Sequence, residues 1–225
     1  MAHYGATSYR LHSLCNNCFR VFNCAAAPAR CQTMHKLNFK TIAQMATLLA
    51  ILPIFLAYKC LSIIDKNSAF ASCSQFLSLF PGKLGSYFRN SFFHLTMTRC
   101  EQGVVIAFGT LFSQADTEIS AGTYIGPQCN IGTCEIGKDC LFGSGVHILS
   151  GKNQHTIDST EVPIREQGGS LTKIRIGEDT WIGNGAIVMA DVGKKCVVAA
   201  GSVVVHEVGD HQIVAGNPAK VVKVR

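Results

Sequence analysis

The first hundred residues almost lack acid. They hold ten of the twenty Lys and Arg but a single carboxylate, Asp65, while the rest of the chain holds ten bases and thirteen acids. The net charge of +6 therefore belongs to the N-terminal part. A basic, acid-poor segment fits an anionic membrane surface. No homeodomain, zinc-finger or RNA-binding motif accompanies it, which argues against nucleic acid as a partner. Charged residues are also scarce overall, at 15% against 48% hydrophobic, and this excludes a disordered chain. No second pair follows Cys15-x-x-Cys18 at zinc-ligand spacing, and an odd total of eleven cysteines forms no disulfide framework. The expectation is a reduced protein whose cysteines serve as small apolar residues, with no metal site. No Gly-x-Ser-x-Gly elbow is present, so nothing points to an acyl-enzyme serine.

Three regions separate by composition. Residues 1–35 are polar, Cys-rich and aperiodic, and read as a poorly structured arm or as an extension ahead of Met34. Residues 36–100 are apolar and basic and read as helical. Within them Ile42 to Tyr58 is uncharged for seventeen residues, short of the roughly twenty that a membrane span needs. Pro53 is expected to kink a helix there. Three readings compete: a membrane-embedded segment, a signal peptide with Ala69-Phe70-Ala71 as its cleavage site, or a helix buried in an oligomer. Ser74 to Arg99 reads as two short amphipathic helices divided at Pro81-Gly82, with Lys83, Arg89 and Arg99 on the polar side. That pattern suits an interfacial anchor, or aromatic faces packed on the next domain.

Residues 101–225 carry a repeat. Ile119, Ile125 and Ile131 are six apart; Ile136 follows after five; Phe142 and Ile148 resume the step. Ile176, Ile182 and Val188, then Val192, Val198 and Val204, continue it. Gly often follows the aliphatic residue, as in Ile125-Gly and Ile182-Gly. Small or sulfur-bearing residues recur four positions on, at Thr123, Cys129, Cys140, Thr180, Ala186, Cys196 and Ser202. Neither a strand nor a helix has a period of six. A short fixed period marks a solenoid, here a mainly β parallel β-helix with three units to a triangular turn. The glycines are expected to help the corners turn.

Residues 150–173 break the repeat. The segment is polar and turn-rich and contains His155, and insertions of this kind project from a solenoid as loops. The repeat, the loop His after Ser150-Gly151 and the closing Gly216-Asn217-Pro218-Ala219-Lys220 together resemble the hexapeptide-repeat acyltransferases. These are left-handed β-helix enzymes that include galactoside, serine and polysaccharide O-acetyltransferases. Leu79-Phe80-Pro81-Gly82 and Tyr87-Phe88-Arg89 resemble a branch found with bacterial surface-polysaccharide synthesis.

The resemblance implies an acetyl-CoA-dependent O-acetyltransferase acting on a saccharide, or on serine or another small molecule. His155 would be the general base, since an imidazole titrates near neutral pH. His147, in a coil, is the backup candidate for the base, although its apolar neighbours favour a structural role. The backbone N–H of Asn184 would meet the thioester carbonyl, and Trp181 would lie near the acceptor. Ala200, Gly201, Val205 and His206 would line the pantetheine channel. Lys220 and Lys223 would pair with CoA phosphates. At Val205 relatives often have Thr or Ser, which leaves one hydrogen bond to CoA unaccounted for. The family's active sites lie between subunits of a homotrimer, and its acetyl donor implies the cytoplasm or the cytoplasmic face of the inner membrane. A γ-type carbonic anhydrase on the same fold would need three zinc-bound His, and His147 and His155 are wrongly spaced for its His-x4-His pair. A non-catalytic scaffold would have no use for the loop His or the closing segment.

Overall fold

A unit of six residues can bury one side chain, expose its neighbour and turn one corner. In the computed structural model the two-residue strands bury their second residue and turn the first outward. The model describes the backbone of residues 29–225 and the side chains from Met45 onward. The side chains of Cys15, Cys18, Cys24 and Cys31, and the arm ahead of residue 29, lie outside that description.

The chain enters through α1 (Ala29–Leu61), α2 (Lys66–Ser78) and α3 (Gly82–Thr96). Pro53 sits inside α1 without ending it. Six coils follow. The first holds β1 (Arg99–Cys100), β2 (Val105–Ile106) and β3 (Leu111–Phe112). The second holds β4 (Glu118–Ile119), β5 (Tyr124–Ile125) and β6 (Asn130–Ile131). The third holds β7 (Cys134–Ile136), β8 (Leu141–Phe142) and β9 (His147–Ile148). After the loop come β10 (Ile174–Ile176), β11 (Trp181–Ile182) and β12 (Ile187–Val188). The fifth coil passes through Val192 to β13 (Val197–Val198) and β14 (Val203–Val204). The sixth passes through Val208 to β15 (Gln212–Ala215), and β16 (Lys220–Val224) folds back on it. The strands stack in parallel on three faces. Face A is β1-β4-β7-β10, face B is β2-β5-β8-β11-β13-β15 closed by antiparallel β16, and face C is β3-β6-β9-β12-β14. The repeat thus starts one coil earlier than Ile119: Cys100, Ile106 and Phe112 already step by six and are buried.

Stacking explains the repeat's chemistry. Ile106, Ile125, Phe142, Ile182, Val198 and Val214 lie in register on face B and are at most 1% exposed. The small residues donate hydrogen bonds to glycine carbonyls of the next coil. Thr110 Oγ1 donates to Gly126 O, Thr123 Oγ1 to Gly137 O, Cys129 Sγ to Gly143 O, Cys140 Sγ to Gly177 O, Thr180 Oγ1 to Gly193 O and Cys196 Sγ to Gly209 O. Burial pushes the Cys140 thiol up to about 11 and Cys100 to about 12. The glycines after the aliphatic residues do not turn the corner as expected. They admit the neighbouring coil: a Cβ on Gly183 would lie 2.5 Å from Ala200 N, and one on Gly126 would lie 2.6 Å from Gly143 O. The left-handed corner residues come later and include Asp139 (φ 56°), Asp179 (φ 53°) and Lys195 (φ 54°).

The first coil presents an edge whose backbone groups need partners. The helices supply them. Ser74 Oγ accepts from Phe112 N at 2.9 Å, Ser86 Oγ from Ile106 N at 3.3 Å, and Ser78 O from Gly109 N at 3.0 Å. Phe70, Phe92 and Phe93 close the end of the core, with Phe93 4.8 Å from Phe112 between ring centroids. Ala69-Phe70-Ala71 is therefore part of α2, with Phe70 fully buried. Of the aromatic residues of α2 and α3, Phe70, Phe92 and Phe93 are buried, while Phe76 and Tyr87 are exposed. Arg89 is not on a polar side: it is fully buried, donating Nε to Ile106 O (3.0 Å) and Nη1 to Leu77 O (3.0 Å) and Phe80 O (2.7 Å). One guanidinium thus ties the end of α2 to β2. Among the described residues no helix is long and apolar enough to cross a membrane.

Arg89→Met keeps the aliphatic stem and removes three hydrogen bonds to backbone carbonyls. It should cost about 3 kcal/mol and lower Tm by roughly 5–10 °C. Thermal unfolding by circular dichroism measures this, and an unchanged Tm would refute the tie.

Candidate functional site

At four corners of the prism one hydrogen bond recurs. A backbone N–H in one coil is met by a side-chain oxygen of the residue stacked on it in the next. Ser150 Oγ accepts from Thr133 N at 3.0 Å, Asn184 Oδ1 from Ser144 N at 3.1 Å, Asp191 Oδ1 from Arg175 N at 2.9 Å, and Asp210 Oδ1 from Lys194 N at 2.8 Å. The register of β8, β11 and β13 stacks Ser144, Asn184 and Ala200 on the edge between faces B and C. Asn184 caps the residue before it in the stack. Ala200 has no side-chain oxygen with which to cap Asn184. The Asn184 N–H finds no acceptor among the described residues, and neither does that of Ala200. Beside them Gly145, Gly185 and Gly201 take φ of 66–68° with nothing within 4 Å of an added Cβ. The edge is a smooth strip carrying two open, exposed donors. Trp181 stands next to it on face B, 51% exposed. Lys220 pairs with Ala215 at the end of β15 that leads to this edge.

The loop leaves from a different edge. Residues 150–173 connect face C to face A, and the arm folds on itself. Thr172 N donates to Ser150 O (2.9 Å), Ser170 N to Asn153 O (2.8 Å), and Thr156 N to Gly168 O (3.0 Å). The Gln167 amide closes the tip, donating Nε2 to Ser159 O and Val162 O and accepting from Ser159 N. His155 is exposed and lines a cleft of about 440 Å³ with Asn153, Thr156, Asp158 and Ser170. No residue of the B–C edge lines that cleft. Val205 and His206 lie past β14, on the loop's side of face C. Lys223 pairs with Ile213, nearer the start of β15 than Lys220. Trp181, Asn184, Ala200, Gly201 and Lys220 thus lie on or beside the B–C edge, while Val205, His206 and the root of the loop that carries His155 lie at the edge between faces C and A.

His147 is not a buried structural residue. It points outward from face C between Asn130 and Ile187. His206 and His211 do have the His-x4-His spacing. Among the described residues, however, no group of three or more His, Cys, Asp or Glu could hold a metal ion. Sequence reasoning missed the glycine strip, although Gly143-Ser144-Gly145 and Gly183-Asn184-Gly185 repeat in its pattern.

A family model described as a hexapeptide repeat of succinyl-transferase matches residues 173–205. Among solved structures the chain is similar to a maltose O-acetyltransferase from Clostridium difficile. The identity is 16% and the TM-score 0.55, over 72% of this chain and 88% of that one. It is also similar to a hexapeptide-repeat-containing acetyltransferase from Vibrio cholerae, complexed with acetyl coenzyme A. There the identity is 20% and the TM-score 0.52, over 72% and 90%. Comparison with curated proteins finds no match. These likenesses establish the fold as a hexapeptide-repeat β-helix.

Ala200→Asn would place on Asn184 the same cap that Asn184 places on Ser144. Hydrogen exchange at the Asn184 amide should slow about tenfold or more, as for a newly bonded N–H. Exchange as fast as in the parent chain would show that the amide is not open for want of a side-chain acceptor.

Proposed function

We propose that this β-helix is an acetyl-CoA-dependent O-acetyltransferase acting on a sugar hydroxyl, with a surface-polysaccharide precursor as the acceptor. The observation that carries this reading is the open Asn184 N–H on a glycine strip, within the segment matched by the hexapeptide model. A fixed backbone donor in a narrow channel is what a thioester carbonyl needs as it becomes an oxyanion. The pantetheine arm runs along Ala200 and Gly201, and Lys220 and Lys223 meet the CoA phosphates. His155 takes the proton of the acceptor hydroxyl as its oxygen attacks the thioester carbon. The tetrahedral oxyanion rests on the Asn184 N–H. Collapse breaks the C–S bond, and the thiolate leaves with the proton carried by the imidazolium. The products are an ester and free CoA, and no acyl-enzyme forms. The exposed Trp181 ring offers a stacking face for the sugar. The same chemistry would serve serine or another small acceptor, and a screen of acceptors following thiol release separates the two.

The separation of His155 from Asn184 in one chain supports a site shared between copies. Face B carries the surface for such an assembly. Val105, Tyr124, Leu141 and Trp181 stack in register outside the core, each 40–51% exposed. An exposed apolar ladder of this kind marks an interface. We assign it to a homotrimer in which His155 of one subunit faces Asn184 of the next.

His155→Ala should lower the rate of acetyl transfer by about 10²–10⁴-fold, with CoA still bound in calorimetry. Turnover at the parent rate would sink the assignment. Tyr124→Asp, on the same ladder but two coils from the open donors, should yield a folded monomer by light scattering and abolish turnover. A fully active monomer would show that the site is complete within one chain.

A further inference from the structure

The two most exposed large hydrophobic side chains among the described residues are neighbours. Ile63 is 85% exposed and Ile64 is 89% exposed, and both sit on the corner between α1 and α2. The corner is fixed by hydrogen bonds. Ser62 N donates to Tyr58 O at 2.8 Å, Ser62 Oγ to Lys59 O at 2.8 Å, and Ile64 N to Leu61 O at 3.1 Å. Asp65 caps α2, its Oδ1 accepting from Asn67 N at 3.0 Å and Ser68 N at 3.1 Å. Up α1 from this corner runs an apolar stripe at spacings of four, three and four: Met45, Leu49, Leu52 and Leu56, each at least 45% exposed. Lys59 and Lys66 flank the isoleucines, and both are exposed. The only acid in the first hundred residues is the capping Asp65.

We infer that this corner docks on an anionic lipid bilayer surface, Ile63 and Ile64 entering the interfacial layer and Lys59 and Lys66 meeting the headgroups. The inference stands independently of the acetyl-transfer reading. Charge decides the occupant. A two-fold contact through this corner would bring lysines toward lysines with only the capping Asp65 between them, whereas anionic lipids supply the missing charge. A projecting pair of β-branched side chains on a rigid corner also suits a deformable layer of acyl chains better than a flat protein face. The helices cap the first coil, while Asn184 and Ala200 lie in the fourth and fifth coils. Docking through the corner would leave the open donors clear of the membrane. Within residues 74–99 Phe92 and Phe93 are buried in the core, and the exposed Phe76, Leu79 and Leu84 are each less exposed than Ile63 and Ile64.

The test is co-sedimentation of the full chain with vesicles of phosphatidylcholine alone, or of phosphatidylcholine with phosphatidylglycerol. The expected result is binding to the anionic vesicles, weakened about tenfold or more by Ile63→Asp with Ile64→Asp. Lys59→Gln with Lys66→Gln should remove the preference for phosphatidylglycerol. Both double variants alter exposed side chains, so their melting temperatures should match the parent. Absence of binding by the parent chain, or binding undiminished by the isoleucine changes, overturns the inference. A change in molar mass with the isoleucine variant, without vesicle binding by the parent, also overturns it and assigns the corner to contact between copies.

Discussion

Register between coils is the constraint on which everything else in the β-helix depends. Most strands are only two residues long, too short to hold themselves, so their order comes from the coil before and the coil after. Stacking Ile182 on Phe142 and Val198 on Ile182 fixes the aliphatic interior. The same stacking puts a Thr or Cys donor under a glycine carbonyl, and forbids a Cβ on the glycine because the next backbone passes within contact distance. Aliphatic residue, glycine and small donor are thus consequences of one spacing between coils.

Function enters where the pattern is left incomplete. A corner N–H capped by Ser, Asn or Asp from the next coil is silent. Along Ser144, Asn184 and Ala200 one capped amide is followed by two uncapped ones, that of Asn184 because Ala200 has no side-chain oxygen to reach it. The framework holds the free donor rigid, so no reorganisation is needed when charge develops on a bound carbonyl. A loop could offer a donor too, but it would have to be ordered first. The loop of residues 150–173 has the complementary task of carrying a side chain away from the prism, and its internal hydrogen bonds give that arm its own shape.

Most of the framework was legible in the sequence, because periodicity is a one-dimensional signal and the solenoid is nearly one-dimensional. The step of six located faces, core residues and the interruption. The first coil escaped notice although Cys100, Ile106 and Phe112 keep the step; Cys and Phe diluted the aliphatic signal, and a step of seven separates Phe112 from Ile119. The glycines were identified correctly and explained wrongly, since close approach and positive φ leave the same letter. Arg89 was unreadable as a buried residue: its partners are carbonyls of Leu77, Phe80 and Ile106, which any sequence would offer. The open amide of Asn184 is likewise a backbone property, set by what residue 200 lacks.

The two ends of the solenoid solve the same problem in different ways. A stack of parallel strands ends in unpaired backbone, which invites further stacking. At the far end β16 folds back on β15, closing face B with the chain's own last strand. At the near end no strand is available, and side chains of α2 and α3 do the pairing: Ser74 and Ser86 accept from β3 and β2, and Arg89 reaches the β2 carbonyl. This commits the inner faces of α2 and α3 to the β-helix and buries Phe70, Phe92 and Phe93 there. What remains outside includes one face of α1, the corner at Ile63–Ile64, and Phe76, Leu79 and Leu84 on the outer side of α2 and α3. Among the described residues the apolar side chains of the helices therefore divide between capping the solenoid and facing outward.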